Sequence, residues 1–236
     1  MNAKKLILLA VVLVIAGIIG TKFEKNSIDE SRTFLGDGVS TIIIGASNAH
    51  IHISPSESNE ILLELRGDIP HQMTPYFSAQ IEDGVLQVDF NLDKGHRMGT
   101  DFSAIYQPIE LTLHLPAHTF ERLQVENSHG AIEIFSIQAA YLDVNASNAH
   151  IDLADLSANI TATNEKGNIT FRNGQLSQNV SLNTSDGSIV LALENPLMDA
   201  HLNLSTDGQA EAPRIFGTGE FVVDLDVVRG KIVVDE

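Results

Sequence analysis

The sequence predicts an all-β protein, a right-handed parallel β-helix or β-solenoid with about 18–22 residues per coil. The phrase Ser-Asn-Ala-His-Ile occurs at residues 47–51 and again at 147–151. Looser copies end in an isoleucine that follows a Gly-x pair, at Ile132, Ile169, Ile189 and Ile232. From Ile132 onward the copies are 19, 18, 20, 21 and 22 residues apart, counting a degenerate copy at Ala210. That interval matches one coil of a β-solenoid and is well below the period of a propeller blade.

Each copy has the alternating pattern of β-strands on both sides of its turn. Apolar residues stand nine and seven positions before the isoleucine and again two positions after it, which places them on one side of a strand. The compact copies carry Leu123, Val125, Ile132 and Ile134, then Leu142, Val144, Ile151 and Leu153, then Ile160, Ala162, Ile169 and Phe171, then Val180, Leu182, Ile189 and Leu191, and last Val223, Leu225, Ile232 and Val234. Ile42, Ile44, Ile51 and Ile53 fit the same frame, as do Phe77, Ala79, Leu86 and Val88 across Asp83-Gly84. A sandwich of antiparallel hairpins is the main alternative, but it gives no reason for equivalent phrases to recur in register.

Residues 1–25 are predicted to be a separate hydrophobic export segment. Lys4 and Lys5 precede an uninterrupted apolar stretch from Leu6 to Gly20, and more lysines follow it. A basic start and an apolar run of this length are typical of a secretory signal. An uncleaved signal anchor is favoured over a cleaved signal peptide, because Ile18 is bulky where a cleavage site prefers a small residue. The chain has no Cys, so disulfides and a lipoprotein anchor are excluded.

The rest of the chain is predicted to be an irregular amino-terminal β part (26–120) followed by regular coils (121–236). Without residues 1–25, 10 basic and 30 acidic residues remain, a formal charge of about −20. Such a charge disfavours nucleic acids as partners. Because residues 1–25 predict export, the expected location is extracytoplasmic. The protein would be anchored in the cell membrane, or secreted or periplasmic if the signal is cleaved. The chain ends within a predicted strand, which would place the carboxyl-terminal coil at an open end of the stack. Asp235 and Glu236 would discourage pairing there by repulsion, and self-association through this coil is the alternative.

The stretches 109–116 and 123–134, which carry a strand ending in Leu-Pro and then Ser-His-Gly-Ala-Ile, resemble the bacterial "putative adhesin" domain of unknown function. LiaG-like membrane-anchored envelope proteins belong to that group. The resemblance spans most of residues 39–236 and implies a β-helix-like fold, an envelope location and an adhesive or scaffolding role. It implies no catalytic residues. Ala49 and Ala149 stand where the family usually has Gly, which predicts a less strained turn in those coils.

Two groups of polar residues are candidate sites. His50, His52, Glu133, His150 and Asp152 flank the anchor isoleucines and are predicted to point outward, where they could hold zinc or another divalent ion. The alternative, which the sequence favours, is a solvated polar face, because a large insertion separates the coils of His50 and His150. The turn residues Asn127, Asn145, Asn164, Asn183 and Ser205 are predicted to form a structural ladder, with polysaccharide binding as the alternative.

The sequence favours a non-catalytic binding or scaffolding protein of the cell envelope, with a link to envelope stress response. Its partner would be an envelope protein or polysaccharide, and no cofactor is expected. A carbohydrate-active β-helix enzyme is the alternative from another class. It is disfavoured because the regular coils contain few bases, the chain has no Trp, and nothing marks Asp224 and Asp226 as a catalytic pair.

Overall fold

The computed structural model describes residues 25–70, 73–93, 109–173, 176, 178–194, 200–211 and 221–235. All regular structure in these residues is β, which confirms the all-β class. The fifteen strands, which join in one sheet, are β1 (Lys25–Leu35), β2 (Thr41–Ala46), β3 (Ala49–Ser56), β4 (Glu60–Pro70), β5 (Thr74–Glu82), β6 (Val85–Asp93), β7 (Glu110–Pro116), β8 (Phe120–Phe135), β9 (Gln138–Ala154), β10 (Ser157–Lys166), β11 (Ile169–Asn173), β12 (Val180–Leu193), β13 (Ala200–Thr206), β14 (Gln209–Glu211) and β15 (Phe221–Asp235).

The regular part is a stack of coils joined by parallel pairing. Leu123 lies opposite Leu142, and Leu142 lies opposite Ile160, so each coil repeats the last in register. The register is also kept in the strand residues that follow the turn of each coil, where Ile132, Ile151 and Ile169 are aligned. The predicted parallel stacking of equivalent phrases is therefore present, and the antiparallel sandwich is wrong for these coils. The right-handed sense of the coil stays a prediction.

Each coil contains two runs of strand with a corner between them. The leading run precedes the corner, as in residues 120–127, and the trailing run follows it, as in residues 131–135. Inward side chains of both runs belong to one continuous core, and the anchor residues of the five compact copies are 0–7 % exposed. Burial of these alternate side chains is the main force that stabilises the stack.

The corner is fixed by a buried hydrogen bond between neighbouring coils. The side-chain amide of Asn127 donates to the carbonyl of Ala49 at 2.7 Å, and that of Asn164 donates to the carbonyl of Ala149 at 2.8 Å. The hydroxyl of Thr184 donates in the same way to the carbonyl of Gly167, at 3.1 Å. These three are the buried polar side chains among the described residues. They satisfy carbonyls that the change of direction removes from the strand ladder.

Glycine at the corner lets the neighbouring backbone come close. A Cβ added to Gly130 would collide with the carbonyl oxygen of Ala49, and one added to Gly167 would collide with that of Ala149. Both glycines also have positive φ, at 124° and 119°. Ala49 and Ala149 themselves are not among the residues with positive φ, which confirms the prediction of a less strained turn there.

The recurrence of Ser-Asn-Ala-His-Ile follows from this corner. Its two copies lie two coils apart, because β8 pairs with β3 on one side and with β9 on the other. Ala46 and Ala146 precede the two copies and lie beside Asn127. Coils with two corner alanines thus alternate with coils that carry a buried Asn and a Gly, and the small side chains leave room for the amide.

The amino-terminal part departs from the predicted frame. β5 and β6 form an antiparallel hairpin across Asp83-Gly84, so Phe77 and Ala79 are not the leading run of a coil that Leu86 and Val88 complete. Both hairpin residues have positive φ, at 49° and 78°, as a type I′ turn requires. β6 instead extends the leading run beside β2, and β7 extends the trailing run beside β3. β4 and β1 then add antiparallel strands beyond β7.

The carboxyl-terminal coils are stacked out of chain order. β15 pairs with β12, with Val223 opposite Val180, and β13 pairs with the other side of β15. The expectation that the last coil forms the end of the stack is wrong, because residues 200–211 lie outside it. The physical reason is the apolar surface that each segment can bury. Val223, Leu225 and Ile232 are fully buried, whereas Ala210 is exposed. The segment with the better apolar anchors occupies the inner position.

The predicted export segment, residues 1–25, lies outside the described residues except for Lys25, and so does all of the stretch 94–107, which the sequence predicts to be a long loop. No helix with the length and hydropathy needed to cross a membrane occurs in the part of the chain that the structure describes.

The corner geometry predicts that Gly167→Ala destabilises the protein more than Gly38→Ala. Both glycines have positive φ, at 119° and 84°, but an added Cβ meets nothing within 4 Å at Gly38. Gly38→Ala should therefore cost about 1 kcal/mol from backbone strain alone. Gly167→Ala adds a collision with the Ala149 carbonyl and should cost about 3 kcal/mol or more. Urea unfolding of both variants measures the difference, and equal losses would contradict this account of the corner.

Candidate functional site

The predicted His and carboxylate candidates lie on the outer side of the trailing run. His52 lies opposite Glu133, and Glu133 lies opposite Asp152, on three consecutive strands. The Nδ1 atom of His52 is 3.2 Å from Oε2 of Glu133, with both side chains about half exposed. Asp152 is held instead by Arg172, whose guanidinium lies 2.9 Å from its carboxylate. The structure therefore divides this row into a His–Glu pair and an Asp–Arg pair.

His50 and His150 are closer than the sequence suggested. Both lie opposite Ala131, one on each side of β8, so two strand spacings of about 4.8 Å separate their backbones. The insertion between their coils does not enter the stack at this point, since β3 pairs directly with β8. Among the described residues, however, no group of three or more His, Asp or Glu side chains is arranged to hold a metal ion.

The predicted ladder of turn residues is two different sets. Asn127 and Asn164 point inward and form the corner hydrogen bonds, with exposures of 3 % and 1 %. Asn145, Asn183 and Ser205 point outward and belong to the surface of the leading run. The alternation of burial along each strand separates the two sets, because Asn145 lies one position before the buried Ala146.

Two rows of polar side chains cross the outer side of the leading run, one side chain per strand. We call them the polar rows. They contain Gln124, Asp143, Thr161, Ser181, Asp224 and Asn203 in the first row, and Glu126, Asn145, Thr163, Asn183, Asp226 and Ser205 in the second. Parallel register places successive members about 4.8 Å apart. The rows contain four carboxylates and no Lys or Arg.

Several contacts tie neighbouring members of the polar rows together. Gln124 donates to Glu126 at 3.0 Å, and Asn203 donates to Asp224 at 2.7 Å. Asn183 donates to the hydroxyl of Ser181 at 3.2 Å. These contacts orient amides and hydroxyls that remain accessible to water, so the rows present donors and acceptors in a fixed array.

Tyr141 lies beside the first polar row and is 51 % exposed. Arg122 is its neighbour on β8, with the guanidinium carbon 5.7 Å from the ring centroid. Asn159 is its neighbour on β10 and donates its amide to the carbonyl of Ala140 at 3.0 Å. The sequence does not single out Tyr141, since the ring and its two neighbours, Arg122 and Asn159, come from three different coils. An exposed aromatic ring flanked by guanidinium and amide groups suits contact with a sugar ring.

A narrow crevice with essentially no room for a water molecule lies where β10 and β12 begin. Its walls are mainly apolar and contain Leu156, Ala158, Ile160, Phe171, Asn173, Leu176, Gln178 and Val180. None of these side chains titrates, so the crevice offers no acid or base for catalysis.

Residues 119–220, which include β8 to β14, match the family model described as Toastrack DUF4097. This part of the chain is similar to the Toastrack domain. The resemblance to an adhesin-type domain of unknown function is thereby confirmed. The corner hydrogen bonds of Asn164 and Thr184, and all twelve members of the polar rows except Asp224 and Asp226, lie within the Toastrack match.

Two solved structures are similar to this chain. A "putative cell adhesion protein" from Clostridium sporogenes has a TM-score of 0.55 and 12% sequence identity, and the alignment covers 89% of this chain and 99% of that one. A "putative adhesin" from Bacteroides fragilis has a TM-score of 0.44 and 13% identity, with coverage of 90% and 98%. No curated protein matches the chain. At these identities, the likeness to the Clostridium sporogenes protein shows the fold alone.

The two sets of Asn residues predict opposite effects of substitution. Asn164→Ala should cost about 1–3 kcal/mol of unfolding free energy, because it leaves the Ala149 carbonyl buried without a partner. Asn145→Ala, on the exposed surface of the adjacent strand, should change it by less than about 0.5 kcal/mol. Asn164→Thr should retain part of the stability, since Thr184 performs the same role one coil later. Thermal and urea unfolding of the three variants test this, and similar losses for Asn164→Ala and Asn145→Ala would refute the separation.

Proposed function

We propose that this protein is a non-catalytic binding protein of the bacterial cell envelope that holds an extended polysaccharide on the outer side of its leading run. The observation that carries the proposal is the pair of polar rows beside Tyr141. Polysaccharides are regular polymers of hydroxyl groups, and the rows present a regular array of hydroxyl, amide and carboxylate groups. Many weak contacts at fixed spacing together give useful avidity.

A stack of parallel coils, which we take to be a right-handed β-solenoid, suits this task. Each inner strand of the stack is held by a neighbour on both sides, and the corner hydrogen bonds fix the register between coils. The polar rows therefore need little ordering when a ligand binds, which reduces the entropic cost of binding.

Tyr141 gives the surface an apolar contact point. Its ring is half exposed and is flanked by Arg122 and Asn159, which can bond to hydroxyl groups around a stacked sugar. Asp143 lies 3.6 Å from Arg122 and adds an acceptor on the same strand as the ring. Together these groups resemble the mixed apolar and polar lining of sugar-binding sites.

The negative charge of the polar rows restricts the class of polysaccharide that can bind there. The polar rows carry the carboxylates of Asp143, Asp224, Glu126 and Asp226 without a Lys or Arg among them, and the whole chain has a formal charge of −17. An anionic polymer would be repelled, whereas a neutral polysaccharide or one with free amino groups would not.

The envelope location draws on the sequence and on the named structures. The basic and apolar character of residues 1–25 favours export, with either an anchored or a released ectodomain. The structures from Clostridium sporogenes and Bacteroides fragilis carry adhesin names. A link to envelope stress response belongs to the same proposal, since an anchored ectodomain that binds a polymer can report on its state.

The polysaccharide proposal predicts that Tyr141→Ala weakens binding to a neutral polysaccharide about tenfold, because the ring loses a contact worth about 1–1.5 kcal/mol. Tyr76→Ala is the matched control, since Tyr76 is also exposed, at 60 %, but lies on β5 away from the polar rows. Affinity electrophoresis or calorimetry with neutral, amino-bearing and anionic polysaccharides measures the effect. Equal losses for the two variants, or preference for the anionic polymer, would overturn the site, and cleavage products would favour a carbohydrate-active enzyme instead.

Divalent-metal binding is a second candidate function. It is favoured by the contact of His52 with Glu133 and by the alignment of His50 and His150 on either side of Ala131. If a metal binds there, zinc should raise the melting temperature, because a ligand that binds only the folded state stabilises it. His52→Ala should abolish the rise, and so should Asp152→Ala if Asp152 leaves Arg172 to join the site. His201→Ala, on β13, is the control that should leave the rise unchanged. Absence of any zinc effect removes this candidate.

A further inference from the structure

The free edges of the sheet differ in their chemistry. In the described part of the chain, β1, β5, β13 and the three-residue strand β14, which ends in Glu211, each pair on one side only. β1 contains Lys25, Asp29, Glu30 and Arg32, and β5 contains Pro75 and Glu82. Charged residues and proline on an edge strand oppose pairing with another strand. β13 has the sequence Ala-His-Leu-Asn-Leu-Ser-Thr, without Pro, Asp, Glu, Lys or Arg.

The core is also incomplete at β13. Leu202 is 8 % exposed and Leu204 is only partly buried, whereas Leu182 in an inner coil is fully buried. The core therefore continues to the end of the stack and is not closed by a further strand among the described residues. A strand added to β13 would bury more of these leucines and pair the backbone groups of the open edge.

We propose that β13 pairs with β13 of a second copy of this chain, antiparallel and about a two-fold axis through Asn203. In this register Leu202 of one copy lies opposite Leu204 of the other on the inner side, so the two cores become continuous. His201 lies opposite Ser205 of the second copy on the outer side, and Asn203 faces its own equivalent. The strand is thus self-complementary, as an interface with two-fold symmetry requires.

Among the free edges of the described residues, charge favours β13 as the one that a second copy meets. Two chains with a formal charge of −17 repel at most surfaces, and the neutral β13 edge is where their backbones can approach. The leading runs of the two copies would then form one longer surface, with Asn203 of each copy joining the two first polar rows across the axis. The dimer does not depend on polysaccharide binding, so either proposal can fail without the other.

Asn203→Lys is the variant that tests the dimer. Two introduced lysines would face each other across the axis, and like charges directly opposite disfavour strand pairing. Within one copy, the substitution stays favourable because Asn203 lies opposite Asp224, which accepts its amide hydrogen bond at 2.7 Å. Ser78→Lys is the matched control, since Ser78 lies on the β5 edge opposite Asp89. Melting temperatures of both variants establish that they are folded.

Sedimentation of the full chain in detergent over a range of concentrations gives the dissociation constant of the dimer. The wild type and Ser78→Lys should form dimers equally, and Asn203→Lys should weaken the dimer at least about tenfold. Any association through residues 1–25 is common to all three proteins and so cancels in the comparison. A monomeric wild type, or an Asn203→Lys variant that dimerises as well as the control, overturns the proposal.

Disulfide cross-linking tests the register. The chain has no Cys, so a single introduced cysteine reports on one position. Asn203→Cys should give a covalent dimer on mild oxidation, because the two-fold axis brings the two β-carbons within reach of a disulfide. Ser78→Cys should stay monomeric under the same conditions. Cross-linking through the Ser78 position, or failure at position 203, overturns the β13 interface.

Discussion

The structure depends on a buried hydrogen bond between neighbouring coils at the corner where each coil turns. There, a side chain of one coil binds the corner carbonyl of the next, as Asn127 does for Ala49, Asn164 for Ala149 and Thr184 for Gly167. Without it, each turn would leave a buried carbonyl unsatisfied, at a cost of about 1–3 kcal/mol. Glycines beside these carbonyls allow the close approach that the bond needs. The bond also defines register, because a coil shifted by one residue would exchange the buried amide for an outward residue.

Register in turn creates both candidate surfaces. The polar rows exist because Asn145, Thr163 and Asn183 come from three coils and meet at one strand spacing. Tyr141 obtains Arg122 and Asn159 as neighbours in the same way. On the trailing run, the alignment gives Glu133 to His52 but leaves Asp152 to Arg172. The register that the corners fix therefore decides which polar side chains meet on the outer surface of this fold.

The two ends of the stack show a second rule. The position of a strand in the stack depends more on the apolar surface it buries than on its order in the chain. β15 takes the inner position beside β12, and the less apolar segment 200–211 is displaced to the edge. At the opposite end, β6 and β7 come from distant parts of the chain and together extend the coil of β2 and β3. The edges that result are not equivalent. β1 and β5 carry charges or proline that oppose pairing, and β13 does not, which makes one end of the stack suited to a second copy.

The sequence alone determined the all-β class, the two runs of each compact coil, most of the anchor residues and the resemblance to an adhesin-type domain, because strand alternation and the interval of the corner phrase are local properties that repeat. It could not determine which coils are neighbours. The insertion seemed to separate His50 from His150, yet β3 pairs directly with β8, and the last coil was expected at the end of the stack but lies within it. Nor could it divide the Asn ladder, since whether Asn127 points inward and Asn145 outward depends on the position of the corner. Only the tertiary structure decided these points, because pairing between distant segments is selected by the total apolar surface they bury together, which no single stretch of sequence contains.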